Sequence, residues 1–203
     1  KMFLSVFLRR LYIWLASLAL LVLAGLWLVP REDISVHDKR SPAFDLARFF
    51  DGNSVAYGIF EDRFGNLRRQ FRVEIQASQS GDRLILNERF LYDDGEQDRR
   101  IWQIDRQIID GQTHYSGQAA DITGKAIGKI AGNAMRWSYD ISLILSGVEL
   151  EVRFDDFIYQ MTPDIAINRA YVSKWGMDIG SVTLVFLKDR LAEEKLPLDL
   201  KNW

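Results

Sequence analysis

Residues 87–102, NERFLYDDGEQDRRIW, read as a strand, a tight acidic turn and a returning strand. Leu84, Leu86, Phe90 and Tyr92 fall on one face at period two, with Glu88 in the middle of that face. Asp93-Asp94-Gly95 supplies the reversal, because Asp tolerates left-handed backbone and glycine carries no steric penalty there. Arg99, Arg100 and Trp102 then open the return strand. An acid on an apolar strand face, met by arginines on the neighbouring strand, is either a binding site or a structural ion pair.

The same period extends outward from this hairpin. Upstream, Phe71, Val73, Ile75 and Ala77 alternate with Gln70, Arg72, Glu74 and Gln76. Downstream, Trp137, Tyr139, Ile141 and Leu143 share a face. The pattern predicts ten strands, over 55–61, 70–77, 83–92, 99–106, 114–120, 124–130, 134–145, 148–161, 167–175 and 181–188. Short connections between consecutive strands predict an antiparallel meander of about 8–10 strands that curls into a barrel. One parity fault interrupts it: Val148, Leu150, Val152 and Phe154 lie on one face, Phe157, Tyr159 and Met161 on the other. A β-bulge at Asp155-Asp156 would restore a single apolar face.

The N-terminal region has a different character. Residues 11–30, LYIWLASLALLVLAGLWLVP, hold no charged side chain, and as a helix they would span roughly 30 Å, a bilayer core. Arg9 and Arg10 precede the segment, which predicts a cytoplasmic stretch over 1–10 and an outward-facing remainder. A signal anchor is the expectation, with a cleaved signal peptide as the alternative that Leu23-Ala24-Gly25 keeps open. Residues 31–43 are polar and patternless, the mark of a tether. Phe44, Leu46, Phe49 and Phe50 then form one or two helical turns that plug or pack on a barrel domain over 44–188. Residues 189–203 read as a charged, frayed tail broken by Pro197.

Composition removes several classes of function. With 203 residues, 48% hydrophobic, the chain fills one core and not comfortably two. Lys1, Arg9 and Arg10 give residues 1–30 a charge of +3, which leaves −5 on the rest of a chain of net −2. That balance argues against a nucleic-acid partner, which needs a clustered basic face. No cysteine is present and only two histidines, so thiolate chemistry, disulfides and multi-histidine metal sites are not expected, nor is a cofactor. DDGEQD lacks the spacing of a calcium loop, and no P-loop, dinucleotide fingerprint or nucleophile elbow occurs.

The candidate site follows from parity. Glu88 lies between Leu86 and Phe90, Arg100 shares parity with Trp102 and Ile104, and Arg169 with Ile167 and Tyr171. If all three charges point inward, the barrel holds one acid and two guanidiniums among the aromatics Tyr92, Trp102, Trp137, Tyr139 and Tyr171. The surplus positive charge would grip a carboxylate or phosphate head. The alternative is a structural network with Asp155 or Asp156 as the missing acid.

Several ordered stretches together resemble a known bacterial envelope family, domain of unknown function 3833. They are GIFEDRFGNLRRQF (58–71), FLYDDGEQDRRIW (90–102), GKAIGKIAGNAMRWSY (124–139), RFDDFIYQM (153–161) and INRAYVSKWGMDIGSVTLVF (167–186). The resemblance implies a lipocalin- or calycin-like barrel and supplies no catalytic residues. Many members resemble acylated lipoproteins. Lacking a cysteine, this chain is expected instead at the inner membrane, single-pass, with its barrel in the periplasm. The leading expectation is a non-catalytic binding module for a lipid or another apolar, acid-headed ligand. Two alternatives stand beside it: an accessory protein that scaffolds an envelope complex, which needs a filled core, and an enzyme on a lipophilic substrate, which needs a carboxylate of strongly raised pKa in an open pocket.

Overall fold

The computed structural model describes residues 10, 12–18, 31–145 and 148–203. The chain divides into two units, Lys1–Asp33 and Ile34–Trp203. In the first, residues 12–18 are helical, and the remainder of the anchor expected over 11–30 lies outside the described residues. Among the described residues no helix is long and apolar enough to cross a membrane.

The second unit is a closed ten-stranded antiparallel barrel in which each strand pairs with its sequence neighbours and the first with the last. The strands are β1 (Gly52–Asp62), β2 (Leu67–Ser80), β3 (Arg83–Tyr92), β4 (Gln97–Ile109), β5 (Gln112–Gln118), β6 (Ile122–Ala131), β7 (Ala134–Leu145), β8 (Val148–Gln160), β9 (Ile165–Lys174) and β10 (Met177–Lys188). Closure runs from Ser54↔Lys188 to Asp62↔Gly180. The central hairpin turns where the acidic triplet predicts: Gly95 has φ +84°, and the Tyr92 amide donates to the Glu96 carbonyl at 2.9 Å.

The expected bulge at Asp155-Asp156 is absent. The β7–β8 register is continuous from Ala134↔Tyr159 to Leu145↔Val148, and β8–β9 is continuous through Asp155↔Tyr171 and Asp156↔Ala170. The register shifts fall elsewhere, at Phe60/Glu61, Thr123/Ile127 and Asp178/Gly180. Phe157 and Tyr159 simply face outward and are covered there. Phe157 packs edge-on to Tyr171 at 6.1 Å beneath the Arg136 guanidinium, and Tyr159 meets the His37 ring at 5.4 Å.

Two flanking segments close the structure. Within the second unit, residues 34–43 of the expected tether pack on the barrel: Ile34–His37 forms a 3₁₀ turn whose Ile34 packs on Ala131, Ala134 and Tyr159. At Gly132 in the β6–β7 turn, a Cβ would overlap the His37 carbonyl, so only glycine permits this approach. Helix α1 (Leu46–Phe50), capped by the Asp45 carboxylate on the Arg48 amide, plugs one end of the barrel, with Phe50 edge-on to Phe186 at 5.2 Å. After α2 (Asp189–Glu193) the tail is not frayed. The Leu198 amide donates to the Glu74 carboxylate at 2.6 Å, the Arg72 guanidinium donates to the Asn202 carbonyl, and Trp203 sits under Arg72. Outward-facing Val55 and Leu91, in register with Glu74 and Arg72, are fully buried.

Candidate ligand-binding site

Alternation on every strand directs one set of side chains into the lumen, and these leave a cavity of about 570 Å³. Leu46 and Phe50 form its floor. The opposite end, beside the β1–β2, β3–β4 and β9–β10 turns, stays open, and Phe60, Tyr92 and Ile179 are only half-buried there. A chain of rings crosses the interior. Trp102 meets Trp137 at 5.6 Å and Tyr139 at 5.3 Å, both edge-on, and Tyr139 stacks on Phe154 at 5.4 Å. The Trp137 ring fits because Gly117 and Gly128 lie beneath it. A Cβ at Gly117 would stand 2.6 Å from its Cη2, and one at Gly128 would stand 2.6 Å from Met135 Cε.

A polar seam runs through this apolar space. Glu88 lies directly opposite Arg100 across the β3–β4 ladder. The Arg100 guanidinium donates through Nε and Nη2 to the Asp121 carboxylate at 2.9 and 2.8 Å. Burial opposes the Arg100 charge, but Tyr139, Glu88 and Asp121 outweigh it and hold the guanidinium above its ordinary pKa. Glu88 lies deep in the barrel yet is only half-buried, because its carboxyl borders the cavity rather than packed atoms. Desolvation pushes it up to about 7, against the pull of Arg100 and a hydrogen bond from the Trp102 indole. Asp156, 5% exposed, is likewise pushed up to about 7 by burial, although Asn168 donates to its Oδ1. The Tyr139 phenol bonds to the same carboxyl. Burial and the nearby Asp156 raise the Tyr139 phenol well above its ordinary value, and burial takes Tyr92 up to about 12.

Of the residues singled out by parity, Glu88, Tyr92, Arg100, Trp102, Trp137 and Tyr139 line the cavity. Arg169 and Tyr171 do not. Without a bulge in β8, the ladder sets Ile158 against Asn168 and Phe157 against Arg169, so Asn168 and Ala170 face in and Arg169 faces out. On the outer surface Arg169 donates to Thr183 Oγ1 at 2.6 Å and pairs with Glu61 at 3.4 Å. The apolar neighbours Ile167 and Tyr171, which suggested an inward face, belong to a covered exterior. The same reasoning places Asp156, named above only as an acid of the alternative network, in the lumen; a second acid, Asp121, is not singled out by parity at all. Asp156 follows Leu150, Val152 and Phe154 at unbroken period two, a signal that the proposed bulge concealed. Asp121 reaches Arg100 from the β5–β6 turn across 21 residues, a contact no local pattern encodes. The cavity is therefore lined by the acids Glu88, Glu96, Asp98, Asp121 and Asp156 and by the guanidiniums of Arg69, Arg99 and Arg100, and the expected positive surplus is absent. Among the described residues no cluster of His, Cys, Asp and Glu has the arrangement of a metal site.

Comparison with known proteins agrees with the architecture. The barrel is similar to the S-type phycobiliprotein lyase CPES from Guillardia theta, with TM-score 0.54 and 8% identity over 79% of this chain and 99% of that one. A de novo designed fluorescence-activating β-barrel aligns with TM-score 0.40 and 12% identity over 72% of this chain and 99% of the design. No curated protein matches the sequence. Residues 23–188, more than half of the chain, match the family described as Protein of unknown function (DUF3833), and this protein belongs to that family.

Proposed function

We propose that this protein is a non-catalytic binding module for a lipid or another apolar ligand, held at the bacterial inner membrane by its N-terminal segment with the barrel in the periplasm. The observation that carries the reading is the cavity of about 570 Å³, walled by aromatic and aliphatic side chains, plugged at one end and open at the other. That volume lies within the range of small-molecule sites, and its few polar groups converge on one seam. The scaffold alternative asks for a filled lumen, and the cavity weighs against it. Phe64 and Trp175, 79% and 85% exposed on turns beside the open end, suit a mouth that meets a membrane interface. Arg63 and Lys174 lie against these two rings.

The acid-headed form of the ligand loses its support. It rested on two inward guanidiniums; one of them faces outward, and the other is engaged by Asp121. A second reading, an enzyme acting on a lipophilic substrate, is favoured by Glu88, a carboxyl near pH 7 beside an open cavity. Among the described residues the cavity offers no Cys, His or Lys to work with it, which favours binding over turnover.

Native mass spectrometry of the purified full chain tests the proposal. The expected result is a reproducible added mass, extractable into organic solvent and lost in Ala170→Phe, which fills the lumen from β9. A clean apo mass, with no uptake of added 1-octanol or octanoate, would overturn it.

A further inference from the structure

The seam and the ring chain meet at one place. Glu88, Trp102 and Arg100 are linked through the Trp102 indole and the β3–β4 ladder, and Trp102 touches Tyr139 at 5.3 Å. Tyr139 in turn faces Asp156, across the lumen from Glu88. Three carboxyls and one guanidinium thus surround a cage of Trp102, Trp137 and Tyr139. Arg100 is ion-paired to Asp121, and the other two guanidiniums that line the cavity are engaged elsewhere, Arg69 by Asp94 and Glu96 and Arg99 by Asn87. Asp156 stands in the cavity wall, its carboxyl held by Asn168 and by the Tyr139 phenol and by no cation at hydrogen-bond distance.

Resting on the binding reading above, we propose that the lumen selects an amphiphile with a cationic, ammonium-type head, seated on the Trp102–Tyr139 rings between Glu88 and Asp156. Aromatic faces attract cations through their quadrupole, and desolvation strengthens the attraction. A buried carboxyl gains most from a partner that brings positive charge, because that partner recovers the solvation lost on folding. The protons that Glu88 and Asp156 retain near neutrality are the expected state of such a site before its cation arrives. A carboxylate head would add a further negative charge to a seam already dominated by acids. The apolar walls toward the mouth, Phe60, Leu143 and Ile179 among them, take the hydrocarbon tail.

The test uses three eight-carbon probes that differ only in the head: octylamine, 1-octanol and octanoate. Each is titrated into the full chain at pH 7.5 and its Kd read by quenching of tryptophan fluorescence. Octylamine is expected to bind at least tenfold tighter than octanol, with octanoate weakest. Asp156→Asn and Glu88→Gln, both isosteric, should each cost octylamine about tenfold and leave octanol within twofold. Equal affinity for the three probes, or octanoate as the tightest, overturns head selection while leaving the lumen a binding site. Failure of all three to bind overturns the binding reading with it. Should either variant fail to fold by circular dichroism, the order of the probes on the parent chain still decides.

Discussion

Replacing Asp156 by Asn should remove the pH dependence of stability that this buried acid imposes. In the folded chain Asp156 sits near 7 instead of 3.8, and Glu88 near 7 instead of 4.5, both because burial disfavours the charged form. A group raised in this way holds its proton folded after the unfolded chain has released it. Its stabilisation is therefore fully present below the unfolded value and is lost as pH climbs through the folded one. The displacements correspond to about 4 kcal/mol for Asp156 and about 3 kcal/mol for Glu88, of which roughly 2–3 kcal/mol each falls between pH 5 and pH 8. Both acids lean on Arg100, so the two losses are coupled and do not simply add. Surface acids such as Asp94 and Asp105 are held below their ordinary range by Arg69 and Arg83, and they contribute only at more acid pH. Urea titration of the full chain, followed by far-UV circular dichroism, should give a midpoint that falls by about 1 M or more from pH 5 to pH 8 at an m of about 2 kcal/mol/M. Asp156→Asn should gain about 2–3 kcal/mol on the parent between pH 5 and pH 8 and leave only the Glu88 slope. A parent midpoint that stays level or rises over this range would refute the reasoning. So would an Asn variant that loses the same stability at both pH values.

Other expectations concern the walls and coverings of the barrel. Gly117→Ala places a methyl against the Trp137 ring and should shift that ring into the lumen, costing about 1–3 kcal/mol and reducing probe uptake, both readable by denaturation and fluorescence. Arg136→Ala removes the bidentate partner of Asp155, whose carboxylate is 4% exposed, at 2.7 Å on both nitrogens. A loss of about 1–3 kcal/mol in a denaturant titration is expected, since Ser138 still donates to Asp155. Deleting residues 196–203 removes the Leu198 bond to Glu74 and the Arg72 bond to Asn202 and should lower stability by about 1–3 kcal/mol, checked by thermal unfolding and by new protease cleavage in β1–β3. Arg169→Ala, on the outer surface, should leave octanol and octylamine affinities unchanged, whereas an inward Arg169 would alter at least one of them.

Much of this protein is written in short-range pattern. A period-two alternation with turn signals at close intervals leaves few options beyond an antiparallel meander, because each strand must bury one face and its neighbour is the nearest surface available. The hairpin over 83–109, its Gly95 turn and the opposition of Glu88 and Arg100 follow from residues within a few positions of one another. The aromatic plug before β1 was equally legible, from four apolar side chains around a capping Asp. Tertiary structure decided what parity alone leaves open. An outward apolar residue and an inward one look identical in sequence when the exterior is covered, as at Phe157, Tyr171, Val55 and Leu91. Reading every large apolar side chain as inward therefore called for a bulge at Asp155-Asp156 and turned Arg169 inward, where the ladders run straight and expose Asp156 to the lumen. The sign of charge inside the barrel rests on that difference. Neither the docking of residues 34–43 and 189–203 nor the reach of Asp121 to Arg100 leaves a local trace, because each depends on surfaces that exist only once the barrel has closed.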